Sequence, residues 1–279
     1  MQISKTPQPT RRSQSTFRQP RYRVEFPPPS AQELDQDEAY FYLVGQDGRE
    51  KILFHDYGAI YERKGLYEQL FYDRLRCQSP TKVSQVLAQA VSKAHDHASE
   101  LRVLDLGAGN GMAGEALAPL GPSRIVGVDI IPEAREAAIR DRPWVYDRYY
   151  VADFCNLDDE ERDELHSWSF NCLVSVAALG FGDIPPQAMA QALELVEVDG
   201  WIAFNIKSTF LDASDESGFS TLVRELIFSE YIDLFHLERY QHRLSIHGQP
   251  LNYFALIGKK SSDEFPARVS RLLEQGDQG

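Results

Sequence analysis

Three aspartates, each within or at the end of a short apolar run, have the residue type and spacing to bind a ligand. They are Asp105 in Leu101–Leu106, Asp129 at the end of Arg124–Asp129, and Asp153 at the end of Tyr149–Asp153. Short apolar runs bounded by turn residues are typical of buried strands. The sequence therefore predicts three carboxylates carried by consecutive strands of an α/β fold.

Glycines at 107, 109 and 111 follow the first of these strands. Backbone without side chains can approach a ligand closely. The next segment, Met112–Leu120, is rich in helix-forming residues and stops at Gly121-Pro122, so the loop opens onto a helix N-terminus that favours an anionic group. This arrangement suits a nucleotide-like ligand. The sequence Gly109-Asn-Gly111-Met-Ala-Gly114 also matches the G-x-G-x-x-G motif of dinucleotide-binding folds.

The three aspartates favour a nucleoside ligand that carries an ammonium group over a dinucleotide. A carboxylate at Asp105 would repel a pyrophosphate, but it would attract an ammonium group. Asp129 has the spacing from the glycines of an acid that accepts hydrogen bonds from ribose hydroxyls. Asp153 can accept a hydrogen bond from the exocyclic amine of adenine. An amino acid, a ribose and an adenine together describe S-adenosylmethionine.

Three segments carry a resemblance to a known family: Leu104–Gly111, Val128–Ile130 and Ala152–Phe154. In order and spacing they resemble the nucleoside-binding motifs of class I S-adenosylmethionine-dependent methyltransferases, and the chain resembles the small-molecule (type 11/12-like) members. The resemblance implies an α/β, Rossmann-like, doubly wound sheet of seven strands with an antiparallel last strand. An N-terminal hairpin and helices precede this sheet.

The resemblance also implies S-adenosylmethionine as the cofactor and assigns residues to its parts. The assigned residues lie in the three motifs: Asp105, Gly107, Ala108, Gly109 and Gly111 at the methionyl end, Asp129 at the ribose, Ile130 at one face of adenine, and Asp153 with Phe154 at the adenine amine.

The segment His55–Cys77 is dense in aromatic residues. Its apolar residues from Leu66 to Leu75 have near-helical spacing and predict an amphipathic helix. The preceding part resembles the segment that closes over the cofactor in many small-molecule methyltransferases. Tyr57 and Tyr61 are one helical turn apart. We expect Tyr61 to approach the bound sulfonium, where an aromatic face favours positive charge; packing alone is the alternative.

A general base is required only if the methyl acceptor is a hydroxyl or a protonated amine. The candidates are His242, His236 and Asp183, with Arg243 as an anchor for an acidic substrate. For His242 the alternative is an exposed strand residue. The loop after Val176 lacks both the Asn-Pro-Pro-aromatic signature of base N-methyltransferases and a histidine near Gly180, so the resemblance assigns no catalytic residue there.

The chain divides into four predicted segments. Residues 1–30 form a disordered basic tail with a net charge of +5, against −13 for the whole chain. Residues 31–98 form the hairpin, with strands flanking Asp47-Gly48, and a helical cap. In that cap Ser79 is the predicted N-cap of a helix that runs to about Ala94. Residues 99–260 form the cofactor-binding domain, and residues 261–279 a peripheral tail.

Composition limits the possible partners. No apolar run approaches the ~20 residues of a membrane helix, and the N-terminus has no signal-peptide core, so we expect a cytoplasmic protein without membrane association. The net negative charge disfavours nucleic-acid binding by the folded domain. The basic tail could bind an anionic partner. The three cysteines form no C-x-x-C pair, so neither a disulfide framework nor a metal site is indicated.

The sequence thus predicts a methyltransferase that acts on a small molecule. Two alternatives remain open. One is a methyltransferase that acts on protein or RNA and is recruited by the basic tail. The other is a catalytically silent protein that binds the cofactor and acts through a partner.

Overall fold

The computed structural model describes residues 21–28, 38–46, 48–179, 184–211 and 218–276. Its strands are β1 (Val24–Glu25), β2 (Tyr40–Val44), β3 (Arg49–Leu53), β4 (Arg102–Leu106), β5 (Arg124–Asp129), β6 (Arg148–Val151), β7 (Phe170–Ser175), β8 (Val196–Lys207), β9 (Ile232–Leu244) and β10 (Pro250–Lys260). Its α-helices are α1 (Tyr57–Tyr61), α2 (Ser79–Lys93), α3 (Met112–Leu117), α4 (Pro132–Asp141), α5 (Asp159–Ser167), α6 (Pro186–Glu194), α7 (Gly218–Phe228) and α8 (Ala267–Gly276).

Seven strands form one mixed sheet in the order β6-β5-β4-β7-β8-β10-β9. Strands β4 to β8 pair in parallel, as expected where helices connect successive strands. β10 is antiparallel to both of its neighbours, β8 and β9. The predicted doubly wound, seven-stranded sheet with an antiparallel last strand is therefore confirmed, and β10 is that strand.

Helices cover both faces of this sheet. On one face, Val83 of α2 and Leu117 of α3 pack on the apolar side chains of the strands. On the other face, Met189 of α6 and Leu222 of α7 form the larger core. Val269 of α8 is 1% exposed and belongs to that core. The predicted C-terminal tail is therefore not wholly peripheral, because its helix buries this side chain.

A second, three-stranded antiparallel sheet in the order β1-β2-β3 builds the N-terminal part. The predicted hairpin is confirmed as β2 and β3, although Asp47 in its turn lies outside the described residues. The prediction that residues 1–30 are disordered is wrong for residues 21–28. There β1 pairs with β2, and Val24 is buried in the apolar cluster of this N-terminal part.

The aromatic segment forms two short helices. Asp56 caps α1 by accepting a hydrogen bond from the backbone N–H of Ala59. The predicted amphipathic helix is present as a π-helix, Glu68–Arg74. Leu66, Leu70 and Leu75 are buried as expected. We call residues 49–75, which include β3, α1 and this π-helix, the aromatic cap.

Within the described ranges, no helix combines the length and the apolar composition needed to cross a lipid bilayer.

Candidate functional site

A cavity of about 240 Å³ lies at the carboxyl ends of β4, β5 and β7, between the sheet and the aromatic cap. One wall consists of the loops that leave these strands, namely residues 106–110, 128–131 and 176–178. The opposite wall is aromatic and consists of His55, Tyr57, Tyr61, Tyr67 and Tyr72. The two walls come from segments that are far apart in the chain, so only the folded chain forms this cavity.

Glycines allow the first loop to pass close to its neighbours. Gly107 has φ +70°, and a Cβ there would lie 2.7 Å from the Cβ of Ala178. Gly109 has φ +54°, and a Cβ there would lie 2.5 Å from the Tyr61 hydroxyl. Both glycines line the cavity, together with Ala108. Gly111 does not line it, and faces Arg142 and Tyr146 instead.

Asp129 lies at the end of β5 and fastens two turns of the cavity wall. Its Oδ2 accepts a hydrogen bond from the backbone N–H of Gly109 (2.8 Å), and its Oδ1 accepts one from that of Ile131 (3.0 Å). A carboxylate has about four lone-pair sites, so one oxygen can accept more than one hydrogen bond. The adjacent Ile130 is 58% exposed although it lines the cavity. The end of β5 therefore offers a polar and an apolar surface side by side.

Asp153 and Phe154 line the cavity beyond β6. The Asp153 carboxylate accepts hydrogen bonds from the backbone N–H of Cys155 (2.9 Å) and the side-chain amide of Asn156 (2.8 Å). Phe154 is 3% exposed. The predicted adenine-binding residues are thus brought together with Asp129 and Ile130.

Asp105 is not brought to the cavity. It is fully buried, does not line the cavity, and accepts a hydrogen bond from the Tyr146 hydroxyl through Oδ2 (2.7 Å). Burial raises the pKa of this carboxyl to about 7; the Tyr146 hydrogen bond opposes that rise, and nearby Asp129 adds to it. The sequence placed Asp105 at the methionyl end of the cofactor, whereas the structure buries it outside the cavity lining, where it is hydrogen-bonded to Tyr146.

Tyr61 is both packed and placed at the cavity wall. It is 6% exposed and belongs to an apolar cluster with Ala134 and Ala137 of α4. Its ring stacks with that of Tyr57, with centroids 6.0 Å apart, and lies 5.1 Å from that of Tyr67. The two alternatives considered for Tyr61, core packing and closure over the cofactor, are therefore compatible in one side chain.

Ser79 begins α2 without capping it. The N-cap position belongs to Gln78, and no side chain caps this helix. The Ser79 hydroxyl instead lies 2.6 Å from the Tyr240 hydroxyl and 2.6 Å from Nδ1 of His242. The predicted N-cap is therefore wrong, because partners on β9 take this hydroxyl.

His242 is buried, at 6% exposure, so the alternative of an exposed strand residue is wrong. Burial lowers its pKa to about 3, and the adjacent Arg243 lowers it further in the same direction. The ring is therefore neutral at physiological pH. Since His242 does not line the cavity, the structure does not bring it to a methyl acceptor.

The Ser79 network reaches the cavity through Asn205. The Asn205 amide donates to the Ser79 hydroxyl (3.3 Å), and its oxygen accepts from the backbone N–H of Ala177 (2.7 Å). Ala177 lines the cavity and has φ +58°, an uncommon conformation for a residue with a side chain. The network thus holds the backbone of one cavity wall in place.

The two other catalytic candidates are not part of the described site. His236 lies on the edge strand β9, near Glu238 (3.1 Å), and does not line the cavity. Asp183 lies outside the described residues.

Sequence reasoning missed His55, Tyr67, Tyr72 and Asn110 as cavity residues. The density of aromatic residues between His55 and Cys77 was the available signal for the first three. Asn110 stands inside the glycine loop, where only Gly107, Ala108, Gly109 and Gly111 were assigned a role. Its side chain is 2% exposed and donates to Glu68 of the cap (3.0 Å).

Comparison with known proteins identifies a family. Residues 78–246, more than half of the chain, match the family described as a methyltransferase domain. No curated protein matches the chain.

Several solved structures resemble this one at low sequence identity. A Thermoplasma acidophilum protein is 18% identical, with a TM-score of 0.48, and the match covers 73% of this chain and 98% of that one. An N-methyltransferase from Bradyrhizobium japonicum with bound S-adenosyl-L-homocysteine is 17% identical, with a TM-score of 0.46 and coverage of 65% and 86%. A putative RNA methyltransferase from Pyrococcus horikoshii is 15% identical, with a TM-score of 0.46 and coverage of 67% and 88%.

Proposed function

The chain belongs to the methyltransferase-domain family, and we propose that it transfers a methyl group from S-adenosylmethionine to a small, uncharged acceptor. S-adenosylmethionine is the cofactor of this family, and it supplies a methyl group that is already activated on a sulfonium. The protein then has to align the two reactants and keep water out.

The described cavity fits the adenosine part of this cofactor. Asp129 lines the cavity at the end of β5, and its carboxylate is of the type that accepts hydrogen bonds from ribose hydroxyls. Ile130 exposes an apolar surface to the cavity, which suits one face of adenine. Asp153 and Phe154 lie next along the same wall. An exposed isoleucine beside a carboxylate is the combination that a flat base joined to a ribose requires.

The rest of the lining supports a small, uncharged acceptor. Among the described residues that line the cavity, none is Lys or Arg, and the only acids are Asp129 and Asp153. A phosphate-rich acceptor such as RNA needs cationic contacts. Tyr67, Tyr72 and Pro80 also line the cavity. Apolar and hydroxyl-bearing walls under a folded cap favour a compact molecule, and this is the observation on which the small-molecule proposal rests.

His55 is the candidate proton acceptor in the cavity lining. It is the only histidine among the described lining residues, and its ring lies 5.8 Å from that of Tyr57. The cofactor would supply the methyl group and leave as S-adenosylhomocysteine, and an imidazole nitrogen of His55 would take the proton of the acceptor oxygen or nitrogen. The aromatic cap excludes water from this step.

Labelled methyl transfer tests the proposal. The protein is incubated with tritium-methyl S-adenosylmethionine and a cell extract, which is then separated into small-molecule, protein and RNA fractions. We expect label in the small-molecule fraction, and its loss with Asp129→Ala. Label in protein or RNA would support the macromolecular alternative. Binding of S-adenosylhomocysteine without transfer to any fraction would support a silent module.

A further inference from the structure

A second cavity, of about 180 Å³, is lined by residues of α4, of β6 and of the loop between them, at one edge of the seven-stranded sheet. Among the described residues, none lines both this cavity and the cofactor cavity. The charged residues of the second lining are Arg135, Arg142, Arg148 and Asp147. The described lining of the cofactor cavity has no Arg or Lys, so the two cavities suit ligands of different charge.

Two of these four charges are balanced by residues that do not line the second cavity. Arg142 is 7% exposed and forms ion pairs with Glu68 (2.9 Å) and Glu115 (2.7 Å). The carboxylate of Asp147 lies 3.9 Å from the guanidinium of Arg124. Glu68, Glu115 and Arg124 are all absent from the lining. Neither Arg142 nor Asp147 therefore contributes a free charge to the cavity.

The other two arginines have positive charge left for a ligand. Arg135 is exposed, forms no ion pair with the described residues, and has no acid three or four residues away on α4. The side chain of Arg148 is 60% exposed, and its ion pair with Glu164, itself 50% exposed, has a length of 4.0 Å. An exposed pair of this kind contributes little. Two guanidiniums can therefore donate to the oxygens of one anion.

The rest of the second lining is apolar or aromatic: Ala138, Ile139, Pro143, Tyr146 and Tyr149. Ile139 is 50% exposed, so it presents an apolar surface that a ligand could cover. The hydroxyl of Tyr146 donates to Asp105 (2.7 Å), and that of Tyr149 donates to the backbone oxygen of Gly109 (2.7 Å). With both hydroxyl protons engaged, these tyrosines offer their rings to the cavity. The lining thus combines free cations with an apolar surface.

We propose that the second cavity binds a small organic oxyanion, a carboxylate or a phosphate ester on an apolar body. Arg135 and Arg148 hold the oxyanion, and the apolar body covers Ile139. The site is distinct from the cofactor cavity, because Tyr149 lines only the second cavity and Gly109, to which it is bonded, lines only the first. This site does not depend on the proposed function.

Two probes of the same shape test the need for a negative charge. They are para-trifluoromethylbenzoate and para-trifluoromethylbenzamide, and fluorine NMR on the full chain measures their affinities with and without S-adenosylhomocysteine. We expect the benzoate to bind about tenfold more tightly than the benzamide, as for a charged hydrogen bond. Equal affinities would overturn the proposal. Displacement of the benzoate by S-adenosylhomocysteine would place it in the cofactor cavity and would also overturn the proposal.

Variants of the two arginines test the location. Arg135→Gln and Arg148→Gln should each weaken binding of the benzoate about tenfold and leave that of the benzamide unchanged. Arg239→Gln is the matched control, since it removes the same charge from an exposed arginine on β9, at the opposite edge of the sheet. It should keep the wild-type affinity. A benzoate affinity that is unchanged in Arg135→Gln, or that falls as much in Arg239→Gln, would contradict the assigned location.

Competition against the bound benzoate probe identifies the oxyanion. Displacement by phenyl phosphate at a lower concentration than by unlabelled benzoate would assign the site to a phosphate ester, and the reverse order would assign it to a carboxylate. We expect inorganic phosphate to compete more weakly than phenyl phosphate, because it has no apolar body. Equal competition by these two would contradict the role of the apolar surface. A wild type that binds neither fluorinated probe would overturn the whole proposal.

Discussion

The hydroxyl of Tyr61 lies 2.5 Å from the position that a Cβ on Gly109 would occupy. This distance is shorter than real contacts of a Cβ atom, so the cap and the glycine loop can approach as they do only because residue 109 has no side chain. The Gly109 backbone N–H is in turn held by Asp129 (2.8 Å). The cap, the loop and the predicted ribose-binding acid therefore form one connected wall.

Gly109→Ala should weaken S-adenosylhomocysteine binding, and adding Tyr61→Phe should restore part of the loss. The new methyl group displaces the Tyr61 hydroxyl, which the second substitution removes. The unrestored part reflects the positive φ of residue 109, which costs a residue with a Cβ about 1–2 kcal/mol. Calorimetry on the two single variants and the double variant measures this.

Gly121→Ala is the control for backbone strain alone, since residue 121 has φ +70° and a Cβ there would have no neighbour within 4 Å. It should lower stability without affecting ligand affinity. If adding Tyr61→Phe does not change the affinity of the Gly109→Ala variant, the Tyr61 hydroxyl does not contact the glycine loop at residue 109.

Asp105→Asn should make the protein more stable at alkaline pH while leaving ligand affinity intact. The pKa of this carboxyl is raised to about 7 in the folded state, chiefly by burial. The folded state therefore binds more protons than the unfolded state between about pH 4 and 7, and its stability falls as pH rises through that window. The loss reaches at most about 4 kcal/mol. Chemical denaturation at pH 5 and pH 8 should show a smaller difference in Asp105→Asn than in the wild type; an equal difference would contradict the assignment.

His242→Asn should remove a source of acid sensitivity. The pKa of His242 is lowered to about 3, first by burial and then by Arg243. The unfolded state therefore binds more protons than the folded state below about pH 6.5, and the stability held above that pH is lost as pH falls towards 3. The slope from one such group is at most about 1.4 kcal/mol per pH unit. Unfolding titrations from pH 7 to 4 should be flatter for His242→Asn. The control His247→Asn, at an exposed position, should give the same unfolding titrations as the wild type.

Asp129→Ala should weaken S-adenosylhomocysteine binding about 10- to 100-fold, the loss expected for charged hydrogen bonds to ribose. It should leave the protein folded, which thermal unfolding checks. The loop that Asp129 holds through Gly109 is also released, so dissociation should become faster. A folded variant with wild-type affinity would show that Asp129 does not bind the ribose.

The sheet and the glycine loop could be predicted because each follows from a local pattern. Alternating or continuous apolar residues specify strands, and closely spaced glycines specify a loop that other groups approach. Asp129 and Ile130 could be predicted as neighbours of this loop for the same reason, since Asp129 ends β5 and Ile130 follows it; both line the cavity. The sequence could not show that Asp105 lies outside the cavity lining, because its hydrogen-bond partner Tyr146 is 41 residues away in the chain.

The rest of the site depends on contacts between distant segments. The burial of His242 follows from its contact with Ser79, 163 residues earlier. His55 and Glu68 become relevant only once the cap lies over the loop after β4. The sequence indicated the cap through its density of aromatic residues. It contained no local pattern that predicts the contact between Glu68 and Asn110.

The most direct test of the account is calorimetry of the full chain with S-adenosylhomocysteine, S-adenosylmethionine and NAD. We expect both adenosyl ligands to bind and NAD not to bind, because Asp129, Asp153 and a cavity lining without Lys or Arg among the described residues suit an adenosine and offer no cation to a pyrophosphate. Binding of NAD without a response to either adenosyl ligand would contradict the assignment of the cofactor and of the methyl-transfer function.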